Sequence, residues 1–183
     1  KATEQAEQLL YQAADSQAIS QACKKASCGK MTPEALYVHQ SALARLPPLL
    51  RVFEGCARVL LGEIEEEHLI KLNRTKPKVS YLVYPEFEKD PHPALQESWV
   101  VSLADLSEKH YSFAERENPP ILHRKETFIP DTHPSYDKFA RLTRQEEKWG
   151  LFEEPQRIGT QQGWEAKLSE KGVQLRGHRL IRA

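Results

Sequence analysis

The chain has 183 residues, 28% of them charged, with 26 Lys and Arg balancing 26 Asp and Glu. That length buries roughly 70% of the surface an unfolded chain exposes, so the fold needs no disulfide or metal staple. A formal net charge of zero excludes a surface that attracts nucleic acid on every side and leaves local basic clusters to carry any such role.

Three cysteines, Cys23, Cys28 and Cys56, form an odd and sparse set. They predict reduced thiols rather than a disulfide framework, and they lack the second ligand pair a zinc site requires. No apolar run approaches the ~20 residues of a membrane helix, and no charged-then-apolar leader opens the chain. The first residue is Lys1 rather than Met, which predicts a trimmed N-terminus or a fragment. The expected compartment is the cytoplasm, with no membrane contact.

In chain order, residues 2–27 read as helix with a thin apolar stripe (Ala6, Leu9, Leu10, Ala13, Ala14), interrupted near Ser16. Thr32-Pro33-Glu34 carries a helix-start signature, Thr as N-cap and Pro at the first helical position. Pro47-Pro48 ends that element and opens the next, in which Leu49, Phe53, Cys56, Leu60 and Leu61 recur at helical spacing. Glu54 and Arg58 sit one turn apart and can pair.

The middle of the chain changes period. Leu69–Leu72, Val79–Tyr84, Trp99–Leu103 and His110–Phe113 are short and rich in β-branched or aromatic residues, so they predict an antiparallel meander. A loop from Pro85 to Gln96 carries three prolines. After Asn118-Pro119-Pro120 the chain turns helical again, from beyond Pro134 to about Trp149 and from Thr160 to Glu170. A terminal strand, Val173–Ile181, could return to the sheet. The expectation is an α+β fold: a mainly antiparallel sheet of four or five strands with helices before and after it. Residues 1–28 form a helical N-terminal appendage and 29–183 a single domain.

Four residues suggest chemistry. In Asp90-Pro91-His92-Pro93 each proline holds the preceding residue extended, which lets the Asp90 carboxylate orient the His92 imidazole. His123 and Lys125 share a face if their segment is extended, and Asp90, His92, His123 and Lys125 together make a candidate catalytic cluster. No nucleophile adjoins them. The competing reading is a rigid surface turn beside a solvated polar stretch.

Basic residues cluster in several places. Lys71, Arg74, Lys76 and Lys78 fall together without an acid; Lys138, Arg141, Gln145 and Lys148 recur along one helix face with Arg144 beside them. Arg176, His178, Arg179 and Arg182 close the chain. With Arg124, these positions are candidate phosphate contacts, and Gln145 could read a base edge. Glu146 and Glu147 dilute the helix stripe, while Glu63, Glu65, Glu66 and Glu67 form the main opposing block. The eight glycines are scattered and form no phosphate-binding loop, so no cofactor is expected, S-adenosylmethionine included. No metal site is expected either.

Several phrases carry a family likeness: Ala35-Leu-Tyr-Val-His-Gln-Ser-Ala-Leu43, Leu46-Pro-Pro-Leu-Leu-Arg-Val-Phe-Glu-Gly-Cys-Ala-Arg58, Tyr84-Pro-Glu-Phe87, Asp90-Pro-His-Pro-Ala-Leu95, Asn118-Pro-Pro-Ile-Leu-His-Arg-Lys-Glu-Thr-Phe128, Lys138-Phe-Ala-Arg-Leu-Thr-Arg-Gln-Glu-Glu147 and Leu175-Arg-Gly-His-Arg179. From about residue 29 to its end the chain resembles the non-methyltransferase portion of the DNA-phosphorothioation-associated methyltransferases. The resemblance implies a bacterial DNA-modification or defence setting and a methyltransferase domain or partner. It supplies no catalytic residue for this portion, and the family's cofactor-binding domain lies outside it. Three functions stay open: an accessory DNA-recognition domain, with phosphorothioated DNA as a candidate target; an enzyme acting on nucleic acid through the four-residue cluster; and a docking module for a methyltransferase partner.

Overall fold

The computed structural model describes residues 1–64 and 67–183, so Glu65 and Glu66 of the acidic block lie outside the described residues. Two helices open the chain, α1 (Ala2–Ala13) and α2 (Ser16–Lys24). They break where expected: Asp15 is extended, and its carboxylate accepts the Gln17 N–H as the cap of α2. Ile19, Ala22 and Cys23 of α2 are buried and pack in one core with α3 (Pro48–Leu61), whose first turn carries the expected proline.

Between α2 and α3 the structure departs from the sequence expectation. β1 (Lys30–Met31) and β2 (Ala35–His39) form a hairpin where a helix was expected. Thr32 caps a turn instead: its N–H donates to Ala35 O at 2.8 Å, and the Ala35 N–H donates to Thr32 Oγ1 at 3.0 Å. Proline suits the second position of such a turn as well as the start of a helix, so the local signal is shared. Pairing with the rest of the sheet decides between them. Gly29 precedes the hairpin at φ +99°, and a Cβ there would lie 2.5 Å from Val38 Cγ1, so no larger residue fits.

β3 (Leu69–Asn73), β4 (Lys78–Val83), β5 (Glu97–Ser102) and β6 (Ser107–Ser112) continue a wholly antiparallel sheet of six strands in sequence order. The α+β class is as expected; the strand number exceeds four or five because the hairpin was read as helix. Alternation gives the sheet two apolar faces. Leu36, Val38, Ile70, Leu72, Val79 and Tyr81 face α1–α3. Tyr37, Leu69 and Leu82 face the opposite layer, with Phe87, Leu122, Phe128 and Phe139.

That second layer holds α4 (Tyr136–Lys148), α5 (Gln161–Glu170), β7 (Val173–Leu175) and β8 (Leu180–Arg182). The terminal strand does not rejoin the sheet. It folds on itself as a β7–β8 hairpin, because Gly177 at φ +54° permits a tight turn closed by the Arg176 N–H on Arg179 O at 2.9 Å. Leu151, Ile158, Trp164 and Val173 form its own small core. No helix among the described residues is long and apolar enough to cross a membrane.

The Glu54–Arg58 pair of α3 is an inward-facing ionic knot. Arg58 donates to Glu54 Oε1 at 2.8 and 3.0 Å, reaches Glu67 at 2.8 Å and lies over the Tyr81 ring, whose hydroxyl also donates to Glu54 Oε1 at 3.0 Å. The Glu54 side chain is only 6% exposed, so removing its cation strands a buried charge. Arg58→Met therefore lowers the unfolding free energy by about 3 kcal/mol in a urea titration, and a loss below 1 kcal/mol would contradict the knot.

Candidate functional site

The four residues of the expected cluster do meet, in the layer between α4 and the sheet. The 90–93 loop is not extended as expected: it bends at Pro91 and His92, and the Asp90 carboxylate closes the bend by accepting the His92 backbone N–H at 2.9 Å. The carboxylate therefore shapes the loop and does not orient the imidazole. Glu146 of α4 does that, with Oε1 2.7 Å from His92 Nε2, while His92 Nδ1 lies 3.2 Å from Leu122 O. The His92 ring sits 4.6 Å from both the His123 and Trp164 rings.

A carbonyl only accepts, so His92 Nδ1 carries a hydrogen. One proton then lies between Nε2 and Glu146. Burial disfavours either charge: it pushes His92 down to about 4 and Glu146 up to about 8, so the pair rests as neutral imidazole and carboxylic acid. His123 donates from Nε2 to Ile158 O at 2.7 Å, and burial, then His92, hold it down at about 3. Its Nδ1 is buried and unpartnered among the described residues, as are Glu146 Oε2 and Trp164 Nε1.

Lys125 is 2% exposed. Its neighbour Arg124 takes a left-handed conformation at φ 55°, a strain of about 1–3 kcal/mol, which turns the lysine inward. Its Nζ donates to Phe87 O at 2.6 Å, to Asp90 O at 2.5 Å and to His178 Nε2 at 3.2 Å, 3.8 Å from the centre of the Phe139 ring. Burial, then the Lys138 charge, push its pKa down to about 7, while the three acceptors suit the ammonium form. All three donors are committed, so the lysine is a clamp between segments. Sequence reasoning missed Glu146, although its spacing from Phe139 and Thr143 puts it on the buried face of α4. Nothing in the sequence announces that His178 turns inward.

The basic candidates divide. Arg74 is held by Thr32 O and Ser20 Oγ, against α2. Lys76 lies in the β3–β4 turn and Lys78 opens β4, neither with an ion pair among the described residues, and Lys71 lies over the Tyr37 ring. Arg124 pairs with Glu147 at 2.6 Å and lies over Phe152; Lys138 pairs with Glu88. His178 belongs to the buried clamp. By contrast Arg141, Arg144 and Lys148 are exposed on α4, and Arg176, Arg179 and Arg182 are exposed on the β7–β8 hairpin. None of the six makes an ion pair among the described residues. The hairpin docks on that helix: Gln145 Oε1 accepts the Leu180 N–H at 2.9 Å, and Arg182 lies 6.0 Å from the centre of the Trp149 ring. Residues 141, 144, 145 and 148 share a side of the helix, so its cations and those of the hairpin adjoin. No group of three His, Cys, Asp or Glu among the described residues could hold a metal ion.

His39, His123 and His178 share a cause of low basicity, burial, and sit at about 4, 3 and 4. Their folded pKa values lie below the ordinary 6.5, so their contribution is full above pH 6.5 and is lost as pH falls toward 4. At pH 5 unfolding takes up about two to three protons, seen as a stability that falls steeply between pH 6.5 and 4.5 in denaturant titrations. A flat profile there would contradict the buried neutral imidazoles.

Compared with protein-family models, curated proteins and solved structures, the chain matches none.

Proposed function

We propose that this chain is a DNA-recognition domain that grips the duplex backbone with the side formed by α4 and the β7–β8 hairpin. One observation carries the reading: six exposed cations without an ion pair among the described residues stand on two elements that touch, in a protein whose formal net charge is zero. Elsewhere, Arg45, Arg58, Arg124, Arg157 and Lys167 are matched with acids, while Lys24, Lys25, Arg51, Lys76, Lys109 and Arg116 are exposed without an ion pair among the described residues but are spread over other segments of the chain. A neutral protein that gathers cations on one side can engage an anionic polymer there. The resemblance to the phosphorothioation-associated family supports a cytoplasmic bacterial setting, a methyltransferase domain or partner, and phosphorothioated DNA as the target. In this reading the Lys125 clamp positions the hairpin, its ammonium being committed to Phe87 O, Asp90 O and His178 Nε2.

Fluorescence anisotropy with plain and phosphorothioated duplexes of one sequence, at several salt concentrations, tests the proposal. About three to five phosphate contacts give a log–log salt slope of roughly −3 to −4. Arg141→Ala with Arg144→Ala weakens binding and flattens that slope by about 1 to 2, whereas Lys76→Ala on the β3–β4 turn leaves both nearly unchanged. Tighter binding of the sulfur-bearing duplex supports modification sensing, and equal affinity leaves general DNA binding. Absence of saturable binding to either duplex at low salt would overturn the reading.

A further inference from the structure

The six-stranded sheet ends in two unlike edges. β1, at one edge, is two residues long, whereas β6, at the other, runs for six residues, Ser107–Ser112, without a proline. Just beyond β6, and in line with its register on β5, the Phe113 N–H donates to Gln96 O at 2.8 Å. Backbone groups alternate sides along an antiparallel strand, so Ser107, Lys109 and Tyr111 also point theirs at β5. Glu108, His110 and Ser112 then point N–H and C=O outward, where they bond to no backbone group among the described residues. All three are exposed. Such a row is a template for another strand.

The residues of β6 select the partner. Strands that continue one sheet set same-face residues opposite each other, so a self-pairing matches positions of equal parity. Centred on His110, it sets His110 against the second copy's His110, Glu108 against its Ser112 and Lys109 against its Tyr111. Every outward residue is used, each facing pair exchanging both bonds, about six in all. Lys109 then lies across from the exposed Tyr111 ring twice, a cation against an aromatic side chain. The two imidazoles do not crowd, because each His110 ring stacks on Trp99 of its own sheet at 4.0 Å and reaches Glu97 at 3.3 Å. The neighbouring register, centred on Lys109, opposes that lysine with itself and calls on Leu106, which belongs to the β5–β6 turn at φ 55°. We propose that β6 is a self-association edge, where two copies pair antiparallel about His110 into one continuous sheet. The two-fold axis of that pair stands perpendicular to the sheet, so α4 and the β7–β8 hairpin of both copies lie on the same side of it. The pairing needs no DNA and holds independently of the reading above.

Sedimentation equilibrium of the full chain tests the proposal. The mass is expected to rise from the 21.0 kDa of one chain toward twice that value between ~10 μM and ~1 mM, since a single strand pair is a small interface. Tyr111→Lys sets like charges opposite each other twice and is expected to weaken association about tenfold or more. Lys109→Glu combined with Tyr111→Lys restores opposite charges in the His110-centred register and not in its neighbour, so it is expected to recover most of that loss. Glu108→Pro removes an outward N–H and no bond to β5, and is expected to weaken association as well. All three positions are exposed, and circular dichroism checks that each variant is folded. A mass that stays at 21.0 kDa throughout overturns the dimer. Association that Tyr111→Lys and Glu108→Pro leave unchanged overturns the β6 edge, and a double variant no better than Tyr111→Lys alone overturns the register.

Discussion

One buried ammonium organises the C-terminal layer. Lys125 ties the loop that carries Phe87 and Asp90 to the hairpin turn that carries His178, and it does so beneath the Phe139 ring of α4. Burying a cation is costly unless acceptors surround it, and here two carbonyls and an imidazole do. The requirement propagates outward. His178 accepts this bond and stays neutral, the left-handed Arg124 turns the lysine inward, and the hairpin turn is held where Gln145 can accept from Leu180.

The adjoining His92–Glu146 pair serves the same end by different means. Sharing one proton in a neutral pair, it fastens the proline loop to α4 without a net buried charge. Trp164 fills the space against both His92 and His123, which brings α5 and the hairpin core into register with the loop. The two clamps free the outer side of α4 and the hairpin from structural duty. The cations there have no ion pair among the described residues, and that separation of inner and outer polar groups is what the proposed nucleic-acid surface requires of a protein with zero net charge.

Much of the frame was legible in the chain itself. The 3.6-residue period found α3 and α4, and alternation with β-branched residues located β3 to β6, since these signals are local. The proline-restrained loop rightly drew attention to Asp90 and His92, and the second histidine segment does meet it. What escaped reading is what depends on distant partners. Thr32-Pro33 serves turn and helix alike until β3 supplies a neighbour. The β7–β8 turn depends on Gly177 and on packing against α4. Whether an arginine is free or matched is decided by acids remote in sequence, as Glu147 decides for Arg124 and Glu88 for Lys138. Residue type alone could nominate these candidate contacts and could not sort them.

The most direct test of this account is amide hydrogen exchange on the full chain with and without a saturating duplex. The account requires slowed exchange in residues 136–148 and 173–182, with the α1–α3 layer and the β6 edge unchanged. Slowing confined to α1–α3 or β6 while the duplex is bound would contradict it.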